Sequence, residues 1–503
     1  MKKGFKTIFL AMVSLMSLSA CGGKVDLSKI SFNSDDLVQE SFGGLGVEWG
    51  AYEDTDKLME GGWEKVISHM DHLGAARIRL MISYDWFCQS FDDKGDEDKT
   101  NDTWSYNFTN KYAANMIEIL EYCQIHNIDV AFGAWNVIGS LGSDDVWNMM
   151  DDVTSDIRWA KISADVLNFL VNQKGFTCIK WFVNSNEPNY AGIKGSSKNY
   201  NNTYEKWEQG VKNVRAALDA VNLQSVGIVG GDTTGFEGSQ EYLLNISKNI
   251  KDIVGDYGAH LYLSNISVDR GEMGDALIDL YNQIKENDPE IGIKRQADIW
   301  EGGLRDGKTL LDCQALIGTP NYAVRMVDYT VQSLIAGING ICYWDFDDAM
   351  HFMYTNNSMT PKEWGMFSSL AEASSGKQEL RPWYHTSSLL CHLFKKGNKV
   401  FSSKTNDTSI DKTFRAMATV NHEGTLGGIV AVNAGTNAVT KTFQLNSKVQ
   451  GEQVYVYIFN ADSYRLGEDG YIVPNYVIDG SINDKITLTV DKSTAIFLSN
   501  ERL

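Results

Sequence analysis

The chain predicts an α/β fold of the (β/α)8 TIM-barrel type with a C-terminal antiparallel β-sandwich domain. Three observations carry this expectation. From about residue 42, strand-like and helix-like runs alternate eight times, as in a parallel sheet wrapped by helices. No glycine-rich phosphate loop follows the first strand, which weakens the competing doubly wound open sheet. After about residue 395 the helical spacing stops and short alternating runs replace it.

Taken in order, Leu45-Gly46-Val47-Glu48-Trp49 reads as the first strand. Trp63, Val66, Ile67, Met70 and Leu73 fall on one helical face, Gly74 supplies the stop, and Arg77 to Met81 follows as a strand. A helix from Tyr112 to His126 leads into Val130 to Ala134, and one from Ile157 to Val171 into Ile179 to Val183. Helices over Tyr204 to Val221 and Tyr242 to Val254 precede Val226 to Val229 and Gly258 to Leu261. Ala276 to Lys285 leads into Ala297 to Trp300, and Tyr322 to Ile335 into Gly340 to Trp344. The sandwich strands are expected at Phe414 to Val420, Gly428 to Asn433, Lys441 to Leu445, Val454 to Phe459, Ile486 to Val490 and Ala495 to Leu498. The barrel is bounded at residues 42–390 and the sandwich at 391–503, with a strand of the sandwich expected in 21–41. No long linker separates the two, so the sandwich is expected to pack on the barrel.

Residues 1–20 read as a leader. Lys2, Lys3 and Lys6 form a basic start, and Ile8 to Met16 an apolar run too short to span a bilayer. Leu18-Ser19-Ala20-Cys21 then resembles a bacterial lipobox, which implies an exported lipoprotein anchored in the cell envelope through lipidated Cys21. That anchor is the only membrane contact expected. With 65 acidic against 45 basic residues, a net charge of −20 disfavours nucleic acid and anionic lipid as partners, but leaves a neutral sugar unpenalised. Cys88, Cys123, Cys178, Cys313, Cys342 and Cys391 are scattered without zinc spacing and read as small hydrophobes. The eight histidines are dispersed, and neither a metal nor a cofactor is expected. The polar stretch from Phe91 to Tyr106 reads as a solvated loop.

Active residues of such a barrel gather at the C-terminal ends of its strands. Those ends carry Glu48-Trp49, Tyr84-Asp85-Trp86, Trp135-Asn136, Asn186-Glu187-Pro188-Asn189, Asp232, His260-Leu261-Tyr262, Glu301 and Trp344-Asp345. Carboxylates, amides and aromatic rings in one mouth suit a sugar, whose C–H faces stack on rings and whose hydroxyls need polar partners.

With Asn184-Ser185-Asn186-Glu187-Pro188-Asn189 after the fourth strand and Glu301 after Ile299-Trp300 on the seventh, the chain resembles the clan A glycoside hydrolases, in layout most like families 30 and 39. The resemblance covers the barrel and, within those families, the trailing sandwich. It implies Glu187 as acid/base, Glu301 as nucleophile, Asn186 as a hydrogen-bond partner of the sugar 2-hydroxyl, Arg79, Tyr262 and His260 as holders of the nucleophile, and Trp344 as an aromatic platform. Trp135, Asn136 and Glu48 are read as substrate contacts. Retaining glycosidases pair one carboxylic acid with one carboxylate, so repulsion from Glu301 is expected to raise the pKa of Glu187, and Arg79 to keep Glu301 ionised. A register slip would put Arg77 in place of Arg79. Two rival readings remain, a non-catalytic cell-surface glycan-binding protein and a metal-dependent hydrolase. Two intact glutamates argue against the first, and the absence of His-x-His on the first strand against the second.

Overall fold

Val66, Met70 and Leu73 recur at helical spacing, and the helix Gly62–Leu73 buries all three. Gly74 follows at φ +69°, its N–H on the Met70 carbonyl, a left-handed exit open to a residue without Cβ. The same logic repeats along the computed structural model. It describes residues 26–50, 62–134, 155–189, 203–348, 352–368 and 379–503, apart from 83, 85, 86, 93, 95, 96, 356 and 357.

Parallel strands Gly44–Glu48, Arg77–Ile82, Asp129–Ala134 and Ile179–Val183 form the first four positions of a barrel, and Asp256–Leu263, Gln296–Leu304 and Gly340–Tyr343 the sixth to eighth. The fifth position is split. Gly227–Ile228 pairs with the fourth strand and Gly231–Thr234 with the sixth. These two pieces are the ends of the strand order and lie on one short stretch of chain, so the chain itself closes the barrel. Gly231, at φ +125°, supplies the bend between them. Closure excludes the doubly wound alternative.

Met81, Ala131, Val183, Val229, Trp300 and Cys342 fill the barrel interior, while the larger core lies between strands and helices. Arg77 is buried among the interior residues, 2.9 Å from Asp298 and flanked by the rings of Trp181 and Trp300. A Cβ at Gly340 would overlap its guanidinium, which is why the eighth strand starts on glycine.

The sandwich has a seven-stranded sheet and a three-stranded sheet. The larger includes Phe414–Val420, Gly427–Asn433, Gln453–Phe459 and Thr494–Ser499, flanked by Lys399–Ser402 and Tyr476–Asp479, which the sequence reading omits. Lys29–Phe32 pairs with Val439–Leu445 in the smaller sheet, and Leu37–Gln39 with Lys399–Ser402 in the larger. The sandwich packs on the barrel helix Pro320–Ile335, where buried Arg415 meets buried Asp328. The stretch expected as a solvated loop instead contains the hairpin Cys88–Asp92 with Thr103–Tyr106. All six cysteines named above are free thiols. Among the described residues no helix is long and apolar enough to cross a membrane. Cys21 and the leader, and likewise Trp135 and Asn136, lie outside the described residues.

Candidate active site

Alternation along each strand decides which side chains enter the mouth. On the sixth strand Asp256, Gly258, His260 and Tyr262 share the inward face, and His260 and Tyr262 stand at its upper end. On the seventh, Asp298 and Trp300 point inward, and simple alternation would then turn Glu301 outward. A bulge prevents this. Ala259 pairs with Ile299 but His260 pairs with Glu301, so Trp300 is an extra residue and Glu301 is re-aimed into the barrel.

Glu187 follows the fourth strand in the left-handed region, at φ +46°, and Asp232 on the fifth adopts φ +53°. Such backbone costs a non-glycine residue about 1–3 kcal/mol and persists only where surroundings enforce it. Here the Glu187 N–H donates to the Asp232 carbonyl at 3.0 Å. Asn189 locks the two loops again, donating to the Thr234 carbonyl at 2.7 Å and accepting from its N–H at 2.8 Å.

Arg79 organises the floor. Its Nη1 donates to Glu48 at 2.5 Å and to Glu301 at 2.8 Å, and its Nη2 donates to Asn186 Oδ1 and Asp232 at 2.7 Å each. The Tyr262 hydroxyl donates to the other oxygen of Glu301 at 2.7 Å. His260 Nδ1 lies 3.0 Å from Glu187 and 3.4 Å from Glu301, and its Nε2 lies 2.9 Å from Asp232. One oxygen of Glu187, one of Glu301 and a His260 nitrogen fall within 4.8 Å of one another. No other grouping of His, Cys, Asp and Glu among the described residues has the spacing of a chelate, and here Arg79 already supplies compensating positive charge to Glu301. The Glu187 side chain is 24% exposed and that of Glu301 only 6%, so the first meets solvent and the second sits on the floor.

The electrostatics correct two expectations. Burial pushes Glu187 up, as repulsion would, but the hydrogen bond and positive charge of His260 outweigh it, and Glu187 lies below its ordinary value. Burial dominates at Glu301, which lies above its ordinary value although His260 and Arg79 pull it down. Burial also opposes charge on Asp232, yet Arg79 and His260 hold it low. Burial would lower His260, but the carboxylates of Asp232 and Glu301, with hydrogen bonds to Asp232 and Glu187, lift it to about 10.

Of the residues predicted from sequence, Arg79, Asn186, Glu187, His260, Tyr262 and Glu301 come together in one hydrogen-bonded cluster. Glu48 belongs to it differently from the reading. It is fully buried beneath Arg79 and cannot touch a substrate, and burial raises it to about 8 against the pull of that arginine. Arg77 does not compete for the place of Arg79. The two share a face, two residues apart, and Arg77 lies deeper, on Asp298. Trp344 is half-buried at the end of the eighth strand, its N–H on the Gly302 carbonyl at 3.1 Å. Asp232 is the member to which the sequence assigned no role. Its place at a strand end was the available signal.

No family model and no curated protein sequence matches the chain. Solved structures do share its fold. A GH30 endoxylanase from Clostridium papyrosolvens C71 superposes with a TM-score of 0.59 at 15% identity, over 94% of this chain and 100% of that one. An endo-β-1,6-glucanase gives 0.62 at 13% identity, with 94% and 93% covered. A family 51 α-L-arabinofuranosidase from Bifidobacterium longum gives 0.57 at 14% identity, with 94% and 99% covered. The barrel-plus-sandwich layout of this chain is thus one in which glycoside hydrolases are built.

Proposed function

We propose that the chain is a retaining glycoside hydrolase that cleaves β-glycosidic bonds of a poly- or oligosaccharide, with Glu187 as acid/base and Glu301 as nucleophile. The observation that carries this reading is the facing pair of glutamates, one from the fourth and one from the seventh strand end, with oxygens within 4.8 Å. Such closeness suits direct attack, for which carboxyl groups stand about 5–5.5 Å apart, rather than inversion through water at about 6.5–9.5 Å.

Glu301, aimed by Arg79 and Tyr262, attacks the anomeric carbon while Glu187 protonates the leaving oxygen. The glycosyl ester on Glu301 is then hydrolysed by a water that Glu187 deprotonates, and configuration is retained. Asn186, its carbonyl oxygen fixed by Arg79, turns its amide N–H groups toward the sugar 2-hydroxyl. Trp344, Trp135 and Asn136 serve as substrate contacts on this reading. Residues 1–20 act as a leader, and lipidated Cys21 holds barrel and sandwich at the envelope.

The test is hydrolysis of a panel of aryl β-glycosides and polysaccharides, including xylan and β-1,6-glucan, with and without chelator. Proton NMR should find the first-formed product with the anomeric configuration of the substrate. Glu301→Gln should fold and lose turnover by more than about 10³-fold, the scale on which residues acting as a catalytic unit fail. A first product of the opposite anomer, near-normal turnover in the variant, or activity abolished by chelator would overturn the assignment. Glycan binding with no hydrolysis across the panel would favour the non-catalytic alternative.

A further inference from the structure

The polarity of the resting pair poses a problem for the proposed chemistry. An acid/base residue must deliver a proton in the first step, yet Glu187 is the carboxylate that its surroundings keep ionised. The proton it needs has to be held elsewhere in the site.

The hydrogen-bond pattern around His260 locates it. Asp232 accepts from Arg79 Nη2 through one oxygen and faces His260 Nε2 with the other, at 2.9 Å. An ionised carboxylate only accepts, so Nε2 carries a hydrogen. The second ring nitrogen, Nδ1, faces Glu187 Oε1 at 3.0 Å and Glu301 at 3.4 Å. Nδ1 thus has acidic oxygens as neighbours, and a hydrogen must lie on the line between it and Glu187. His260 is fully buried, so water does not supply an alternative partner.

Resting on the acid/base role of Glu187, we propose that His260 is the proton store for Glu187, and that Asp232 is the positioning residue that keeps the store in place. In the free enzyme the hydrogen sits on Nδ1 and His260 is an imidazolium. During the first step it passes from Nδ1 to Glu187 Oε1 as Glu187 passes a proton to the leaving oxygen. The bond from the anomeric carbon to that oxygen breaks, and a bond from the anomeric carbon to Glu301 forms. His260 is then neutral and Glu187 a carboxylate. In the second step the oxygen of the attacking water bonds to the anomeric carbon as the ester bond to Glu301 breaks, and the water gives a proton to Glu187, which returns one to Nδ1.

The position of His260 links this transfer to the state of the nucleophile. The negative charge of Glu301 is among the influences that keep the ring protonated. When Glu301 becomes an ester that charge is gone, and the hold on the proton weakens at the moment the leaving group needs it. When the ester is cleaved the charge returns, and the ring again binds the proton. The groups facing the ring are Glu187, Asp232 and Glu301, with Tyr262 beyond on Glu301 and Arg79 between Asp232, Glu301 and buried Glu48.

Two measurements test this. Imidazole nitrogen NMR of the wild-type protein, with the His260 signal assigned by its loss in His260→Gln, should show both ring nitrogens protonated at pH 7. In Asp232→Asn the ring should lose its second proton at a pH at least one unit lower. The same variant should move the alkaline limb of kcat/KM for a poor-leaving-group aryl glycoside downward by a comparable amount, and Asp232→Glu should restore part of the shift. A neutral His260 ring in the wild-type protein at pH 7 would overturn the proposal, even if Asp232→Asn fails to fold. So would a variant slowed equally at every pH with its limb unmoved, since that is what a purely structural role predicts. The acid/base reading fails separately, if Glu187→Ala retains normal cleavage of poor leaving groups.

Discussion

Replacing Arg79 by methionine isolates the electrostatic design of the site. The guanidinium is fully buried and meets Glu48 at 2.5 Å, Asp232 at 2.7 Å and Glu301 at 2.8 Å. Methionine keeps much of the volume and removes the charge, leaving buried Asp232 and Glu301 with His260 and Tyr262 but without the guanidinium. Removing one member of a buried ion pair costs about 3–5 kcal/mol, out of a total stability of about 5–15 kcal/mol for a typical domain. The cost is relieved if the stranded carboxylates bind protons. Asp232 then acquires a folded-state pKa above its unfolded value of about 4, and Glu301, already above its own, rises further. Between about pH 4 and those raised values the folded state binds more protons than the unfolded state, so stability falls as pH rises through that window. The deficit of Arg79→Met relative to wild type should therefore be about 3–5 kcal/mol at pH 8 and distinctly smaller at pH 5. Urea denaturation at both pH values measures it. A deficit below about 1 kcal/mol at pH 8, the size of an exposed pair, or one that does not change with pH, would refute the view that this arginine compensates buried charge.

Three further outcomes are expected. Glu187→Ala should slow cleavage of poor leaving groups far more than good ones, and azide should rescue the second step to give a β-glycosyl azide, detected by mass spectrometry and NMR. No azide adduct would mean that no glycosyl ester accumulates. Cys21→Ser should leave activity unchanged while the protein no longer partitions with membranes; persistent membrane association would indicate another anchor. Arg415→Leu, which strands buried Asp328 against the barrel, should cost about 3–5 kcal/mol in denaturant unfolding, and Asp328→Leu in the same chain should recover most of it.

The eight-unit barrel was legible because its two periodicities are local properties of the chain. Glu187 and Glu301 were legible because strand ends fix where side chains gather. What escaped depends on neighbours from distant sequence. The extra residue at Trp300 is defined only by pairing with the sixth strand, and alternation along the seventh alone would send Glu301 outward. The left-handed backbone of Glu187 has no glycine to announce it, and comes from its bond to the Asp232 carbonyl. The sign of the Glu187 shift is not legible because it depends on contact between His260 and the acid, which only the folded strands bring about. Lys399–Ser402 and Tyr476–Asp479 are short strands near the margins of their sheet, with too few residues for alternation to stand out.

Four carboxylates, Glu48, Glu187, Asp232 and Glu301, share one cluster with two cations, Arg79 and His260. Two uncompensated negative charges in such a place would cost several kcal/mol each. Burial pushes Glu48 up, toward its neutral form, against the pull of Arg79, which lessens this excess. An excess of negative charge remains beside the point where the sugar would sit. The transition state of glycoside cleavage carries oxocarbenium-like positive charge, and fixed charge aimed at the place where opposite charge develops stabilises it without reorganisation. On the proposed mechanism this excess favours the oxocarbenium-like transition state over an uncharged ground-state sugar, which gains much less from it.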